Sequence, residues 1–332
     1  MNAIRTVAAT SVGVLLSLSP AGAYEFGTAP WQQLPGLILG NAASAPPPGL
    51  YMFEQAITYQ SSLVGPGAPS VGGSHTSVRV DGVAAGLLFV PGWTFLGATY
   101  DAVVVQPFLN EVLTAPINYS AAGAHNSFVA PVELSWKLGD SGFFLKTGLG
   151  MYTPEGAISG PTGLGNNGTP WWTFQPELVV SYIKDGWEFT AFLFDEINTR
   201  NSITGYTSGD VFHAEFTATK TIGKWTIGPV GYYVGQVTSD RASSTYYRGA
   251  INTRGYDVWA VGGLVGYDFG PATLKFWVVD QVYAQASGGT AGPPGIDTAS
   301  ITKGWTAFAS LSYRLWAPET AEPSRPGRLT LK

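Results

Sequence analysis

The chain has 332 residues, of which 45% are hydrophobic and only 12% charged, with a formal net charge of −5 and no cysteine. The charged share is about half that of a soluble domain, so something other than water solvates much of the surface. The weakly acidic balance without a long basic run argues against nucleic acid as a partner; the lack of cysteine excludes disulfides and thiolate metal sites, and His75, His125 and His213 are too scattered to form a metal set.

Residues 1–23 read as a secretory signal, with Arg5 as the positive n-region, 7–18 as the apolar core and Ala21-Gly22-Ala23 as the cleavage site. Residues 24–48 mix Pro30, Pro35 and Pro46-Pro47-Pro48 with an apolar patch, Leu37-Ile38-Leu39, and have no periodicity. They read as a periplasmic lead-in, with a segment folded into a lumen as the alternative.

No run of eighteen apolar residues follows the signal, which removes transmembrane helices but not a closed barrel of strands. Twelve strand-like runs are counted, at about 49–60, 76–90, 93–107, 125–138, 142–152, 170–183, 186–198, 208–222, 224–238, 255–269, 271–286 and 304–316. The hairpin at 208–240 is the clearest unit: His213, Glu215, Thr217 and Thr219 alternate with Phe212, Ala214, Phe216 and Ala218 before the tight link at Gly223-Lys224. Connections alternate in length, with short ones at Pro91-Gly92, 139–141, Lys184-Asp185, Gly223 and Gly270 and long Gly-, Ser-, Asn- and Pro-rich ones between. That alternation predicts an all-β fold, a transmembrane antiparallel β-barrel of the outer membrane with about 12 strands spanning 49–316, short turns at the periplasm and a polar tail at 317–332. An even strand count places both termini on the periplasmic side.

Trp93, Trp187 and Trp225 open strands and Trp136 and Trp316 close them, which gathers five tryptophans at the short-turn rim as an aromatic girdle. The last run sets Trp305, Ala307, Ala309, Leu311, Tyr313 and Leu315 toward lipid. The same parity sends Glu54, Arg79, Asp81, Glu133, Lys137, Lys146, Glu177, Glu188, Glu196, His213, Glu215, Asp268, Lys275 and Arg314 inward, and leaves Asp195 and Asp280 on the lipid face through a bulge or closeness to a rim.

Catalytic chemistry finds little support. His125-Asn126-Ser127 carries the letters of a hydrolase set, but in adjacent positions that leave no orienting group between His125 and Ser127. His213 and Glu215 share one face and read as lumen groups, and Gly163 and Gly165 beside Asn166-Asn167 read as a flexible turn. The residues expected to line a solute path are Glu177, Glu188, Phe192, Phe194, His213, Glu215, Tyr232, Gln236, Lys275, Trp277 and Arg314, which offer aromatic faces and hydrogen bonds.

The run 46–51, Ser208-Gly209-Asp210, Gly231-Tyr232-Tyr233 and Gln236 spaced four residues before Asp240 resemble the outer-membrane family named for the meta-pathway of phenol degradation, over about 46–316. The resemblance implies a transporter of hydrophobic or aromatic compounds and carries over no catalytic residue. The chain departs from the usual barrel in placing a polar tail after Trp316, where outer-membrane barrels usually end on an aromatic residue. The expected function is passive uptake of a small hydrophobic or aromatic solute, with no enzyme activity and no cofactor; outer-membrane lipid and the barrel assembly machinery are the expected partners. A non-selective porin, an outer-membrane hydrolase and a structural or adhesive barrel are the alternatives.

Overall fold

A computed structural model of the chain describes residues 25, 28–66, 68, 75–116, 118–160, 166–245, 255–287 and 301–318; the expected signal at 1–23 and most of the tail at 317–332 lie outside them. Its strands are β1 (Gly49–Val64), β2 (Ser77–Val90), β3 (Thr94–Phe95), β4 (Ala98–Leu113), β5 (Tyr119–Ala124), β6 (Phe128–Lys137), β7 (Phe143–Tyr152), β8 (Thr173–Lys184), β9 (Trp187–Asn198), β10 (Val211–Ile222), β11 (Trp225–Gln236), β12 (Gly255–Asp268), β13 (Ala272–Ser287) and β14 (Ile301–Trp316). Each long strand pairs antiparallel with its neighbours, β2 with β4 and β14 with β1, so twelve strands close on themselves. Closure leaves no sheet edge, and every backbone group of the wall finds a partner without water.

The twelve expected runs correspond to the twelve wall strands. The third begins at Ala98, not at 93, because Leu96 (φ 49°) and Gly97 (φ 79°) turn β3 back onto β4. Trp93 therefore sits in the turn, stacked on Tyr100 at 5.7 Å, while Trp136, Trp187, Trp225 and Trp316 occupy the expected strand ends. The connection expected at 108–124 is largely strand: β4 runs on to Leu113 and β5 pairs back onto it.

Strand alternation places Gln55, Ile57, Tyr59 and Ser61 of β1 and Val78, Gly82, Ala84 and Gly86 of β2 on the inner face. Glu54, Arg79 and Asp81, expected inside, are thus on the outer face. Arg79 and Asp81 pair there at 2.7 Å, and Thr58 Oγ1 donates to Asp81 at 2.8 Å. Parity alone misassigns them because the first strand is polar on both faces, with Glu54, Thr58 and Gln60 on one and Gln55 and Ser61 on the other. At 16 residues β1 exceeds the roughly nine to eleven needed to cross the hydrocarbon, so its upper part tolerates a paired charge outside. Asp195 and Asp280 do face outward. The bulge of β13 falls just after Asp280, opposite Ala260, and does not turn it inward.

Residues 28–48 lie inside the lumen. The wall encloses them, and Glu25, the first residue described, sits at the long-loop rim beside Ser208. The lead-in is thus lumenal and not an external strap. Glu25 and Trp316 stand at opposite rims, whereas the two ends of the wall itself, Gly49 and Trp316, share one.

A barrel closed by backbone pairing resists detergent until it is heated. The purified protein is expected to migrate faster on a denaturing gel when unheated than when boiled; identical migration would contradict the closed wall.

Candidate functional site

The inner segment contains Pro30, Pro35 and Pro46-Pro47-Pro48, which deny it a helix or a strand of its own. Its buried N–H and C=O groups must find side-chain partners, and the inner face of the wall supplies them. Glu25 is buried at the long-loop rim, where its N–H donates to Ser208 Oγ (3.0 Å) and its carboxylate accepts from Asn201 Nδ2 (2.7 Å) and Thr204 Oγ1 (2.6 Å). Trp31 packs edge-on to Tyr256, whose hydroxyl donates to Pro30 O at 2.6 Å. The N–H groups of Gln32 and Gln33 both donate to the Glu196 carboxylate, at 2.8 and 2.7 Å.

One turn further on, the Gly36 N–H donates to Glu215 Oε1 (2.7 Å) and the Gly36 carbonyl accepts from Trp277 Nε1 (2.8 Å). Gly40 repeats the pattern: its N–H donates to Thr217 Oγ1 (2.9 Å) and its carbonyl accepts from Lys275 Nζ (2.6 Å). Ala43 N–H donates to Ser181 Oγ (2.8 Å), and Arg314, over the ring of Tyr51, donates to Pro48 O at the short-turn rim. Between these bonds Leu39 joins Val230, Tyr232, Leu264, Trp277 and Phe308 in one apolar cluster, and Ala43 joins Val179, Phe192 and Phe194 in another. Apolar burial and charge-assisted bonds to carboxylates therefore hold the same segment.

All eleven residues expected to line a path have inward parity, and the segment covers most of them. Glu215, Lys275, Trp277 and Arg314 bond to it, and Phe192, Phe194 and Tyr232 pack against it. The Tyr232 hydroxyl accepts from Gln281 Nε2 at 2.9 Å. His213 stacks on Phe194 at 4.3 Å with its Nε2 3.4 Å from Glu196 Oε1, so its acidic partner is Glu196 and not Glu215. Glu177 and Glu133 flank Gly148 across neighbouring strands, beside Lys146, which pairs with Asp101 (3.2 Å) and Glu133 (2.8 Å). Glu188 lies at the short-turn end and accepts from Thr190 Oγ1 at 3.4 Å.

Gln236 faces the mouth. Its Nε2 donates to Asp240 Oδ1 at 2.8 Å, Gly209 N–H donates to the same oxygen at 2.7 Å, and the Tyr206 hydroxyl donates to Oδ2. The Ser-Gly-Asp and Gln-to-Asp spacing singled out in the sequence thus form one clasp joining the loops after β9 and β11. A Cβ at Gly209 would lie 2.1 Å from Thr238 O and 2.2 Å from Gln236 Nε2, so no larger residue fits.

The hydrolase letters do not assemble. His125 directs Nδ1 at Asn167 O and Nε2 at Gln32 O (3.1 Å), and burial pushes its pKa down; Ser127 Oγ donates to Gln106 instead. Among the described residues no group of three His, Cys, Asp or Glu could hold a metal ion.

Sequence reasoning held the lumenal segment only as an alternative and did not single out its partners Gln55, Ser181 and Tyr256. One signal pointed to them: Trp31 and Leu37-Ile38-Leu39 form an apolar patch outside any strand period, and such a patch needs cover.

Residues 62–292, more than two thirds of the chain, match the family described as "Putative MetA-pathway of phenol degradation". The chain belongs to this family. No curated protein matches the sequence. Among solved structures, an outer membrane channel from Pseudomonas putida F1 superposes with a TM-score of 0.69 at 10% identity, covering 82% of this chain and 98% of that one, and it shares the barrel fold. The translocator domain of the autotransporter NalP from Neisseria meningitidis gives 0.49 at 13% identity over 82% and 90%, and the CymD monoaromatic hydrocarbon channel 0.42 at 10% over 82% and 90%.

Two tests follow from this geometry. Glu196→Ala leaves the Gln32 and Gln33 amides without acceptors at a cost of about 1–3 kcal/mol each, and hydrogen exchange at both is expected to accelerate while exchange in the wall is unchanged. The Asp240 carboxyl lies outside the strands, and burial pushes it from 3.8 up to about 7, against the pull of Tyr206, Gly209 and Gln236. The folded protein holds this proton more tightly than the unfolded chain, so the clasp is strongest below pH 3.8 and weakens as pH rises to about 7. Exchange at Gly209, corrected for intrinsic rates, should rise across that window in the wild type and stay level in Asp240→Asn.

Proposed function

We propose that the chain is an outer-membrane channel for passive uptake of small hydrophobic or aromatic compounds, and that the inner segment 28–48 governs passage. One observation carries this reading: the lumen is occupied by the chain's own segment, held against inward aromatic residues by bonds from Glu196, Glu215, Trp277 and Lys275. A general porin needs an open water column. Here a solute must share space with Trp277, Phe308, Phe192 and Phe194, and an apolar ring exchanges with such surroundings at less cost than a sugar. Family membership supports the same reading.

The finer assignments belong to the same proposal. The short-turn rim, with its tryptophans, faces the periplasm, Trp316 ends there, and the long loops face outward. Phe192, Phe194, Glu215, Tyr232, Lys275, Trp277 and Arg314 act first as the seat of the segment, and with Glu177, Glu188, His213 and Gln236 they line the path when it shifts. The barrel assembly machinery inserts the chain into outer-membrane lipid, and the protein performs no covalent chemistry.

Proteoliposome flux decides between this and the porin reading. Wild-type barrels are expected to admit benzyl alcohol and exclude arabinose, whereas a variant lacking 29–46 admits both. Equal wild-type rates for the two solutes would overturn the proposal.

A further inference from the structure

At the long-loop rim the connections after β9 and β11 enclose a recess of about 370 Å³, lined by Arg200, Gly205, Thr207, Arg241, Ala242 and Ser244. The two arginines are 41 positions apart in sequence, and backbone pairing brings them together: Thr207 N–H donates to Arg241 O (3.1 Å) and Arg241 N–H to Thr207 O (2.9 Å). Arg200 is held in place by its own loop, because Nε donates to Gly205 O at 3.1 Å. Gly205 has φ +75°, and a Cβ there would lie 2.5 Å from Arg200 Nη2, so both the backbone and the space require glycine. Among the described residues the bond from Nε is the only hydrogen bond of the Arg200 guanidinium, which leaves its four Nη protons available.

Neither guanidinium forms an ion pair with a described carboxylate. The acids of the same region are engaged elsewhere, Glu25 with Asn201 and Thr204 and Asp240 with Tyr206, Gly209 and Gln236. Two like charges facing one polar recess repel each other until an anion joins them. A carboxylate carries one charge and suits one guanidinium fork. A phosphate group carries close to two charges and three free oxygens, and it matches a pair of forks.

We propose that this recess binds a phosphate group, carried by a soluble phosphate or by the headgroup of a surface lipid. Bound there, it bridges the loop after β9 to the loop after β11. The first of these loops holds Glu25, the start of the inner segment.

The test uses the full chain in neutral, phosphate-free detergent. Calorimetric titration with inorganic phosphate covers the soluble source; flotation with vesicles of phosphatidylcholine containing lipid A, against vesicles containing its dephosphorylated form, covers the lipid source. In at least one arm the wild type is expected to bind the phosphate form. The double substitution Arg200→Gln with Arg241→Gln, checked for unchanged heat-modifiable mobility, should weaken that binding about tenfold or more, while Lys220→Gln at the opposite rim leaves it intact. Response to inorganic phosphate or to lipid A identifies the source. Lack of wild-type binding in both arms, or equal binding by the double variant, would overturn the site.

Discussion

Without water in the hydrocarbon, every backbone hydrogen bond must be made within the protein, and that constraint shapes both parts of this molecule. The wall meets it by pairing twelve strands in a ring. The inner segment cannot, since its prolines block regular structure, and it borrows acceptors and donors from the wall at Glu196, Glu215, Thr217, Ser181, Trp277 and Lys275. Barrel and segment are thus mutually dependent: these six inward side chains find partners on the segment, and the segment is ordered by them.

The inward charges fall into two kinds. Lys146, Asp101, Glu133 and Glu177 cluster across four neighbouring strands, β4, β6, β7 and β8, and belong to the wall. Glu196, Glu215 and Lys275 answer peptide groups instead, and a peptide group is a weaker partner than an opposite charge. A segment held in this way is ordered without ion pairs to fix it, which suits the proposed role in governing passage. At the mouth, the clasp of Asp240 and the loop holding Glu25 are neighbours in space.

Much of this was legible in the residues. Alternating hairpins, short turns against long loops and tryptophans at one rim announced a closed barrel and its strand count, since each of these patterns is local and repeats. Inward parity of Phe192, Phe194, His213, Glu215, Tyr232 and Trp277 was equally readable, because a strand imposes a period of two. Glu54, Arg79 and Asp81 were misread where polar residues occupy both faces and the period carries no sign.

Alternation along the residues is enough to specify the wall, because a transmembrane strand needs only its own period and a neighbour to pair with. What fills the barrel, and what the polar face holds, follows instead from contacts that exist only once the ring is closed. Residues 28–48 have no period to read, and their side-chain partners lie from 4 positions away, at Pro47 and Tyr51, to 266, at Pro48 and Arg314. Contacts of that range are set by closure of the ring, which brings residues 28–48 against the far strands.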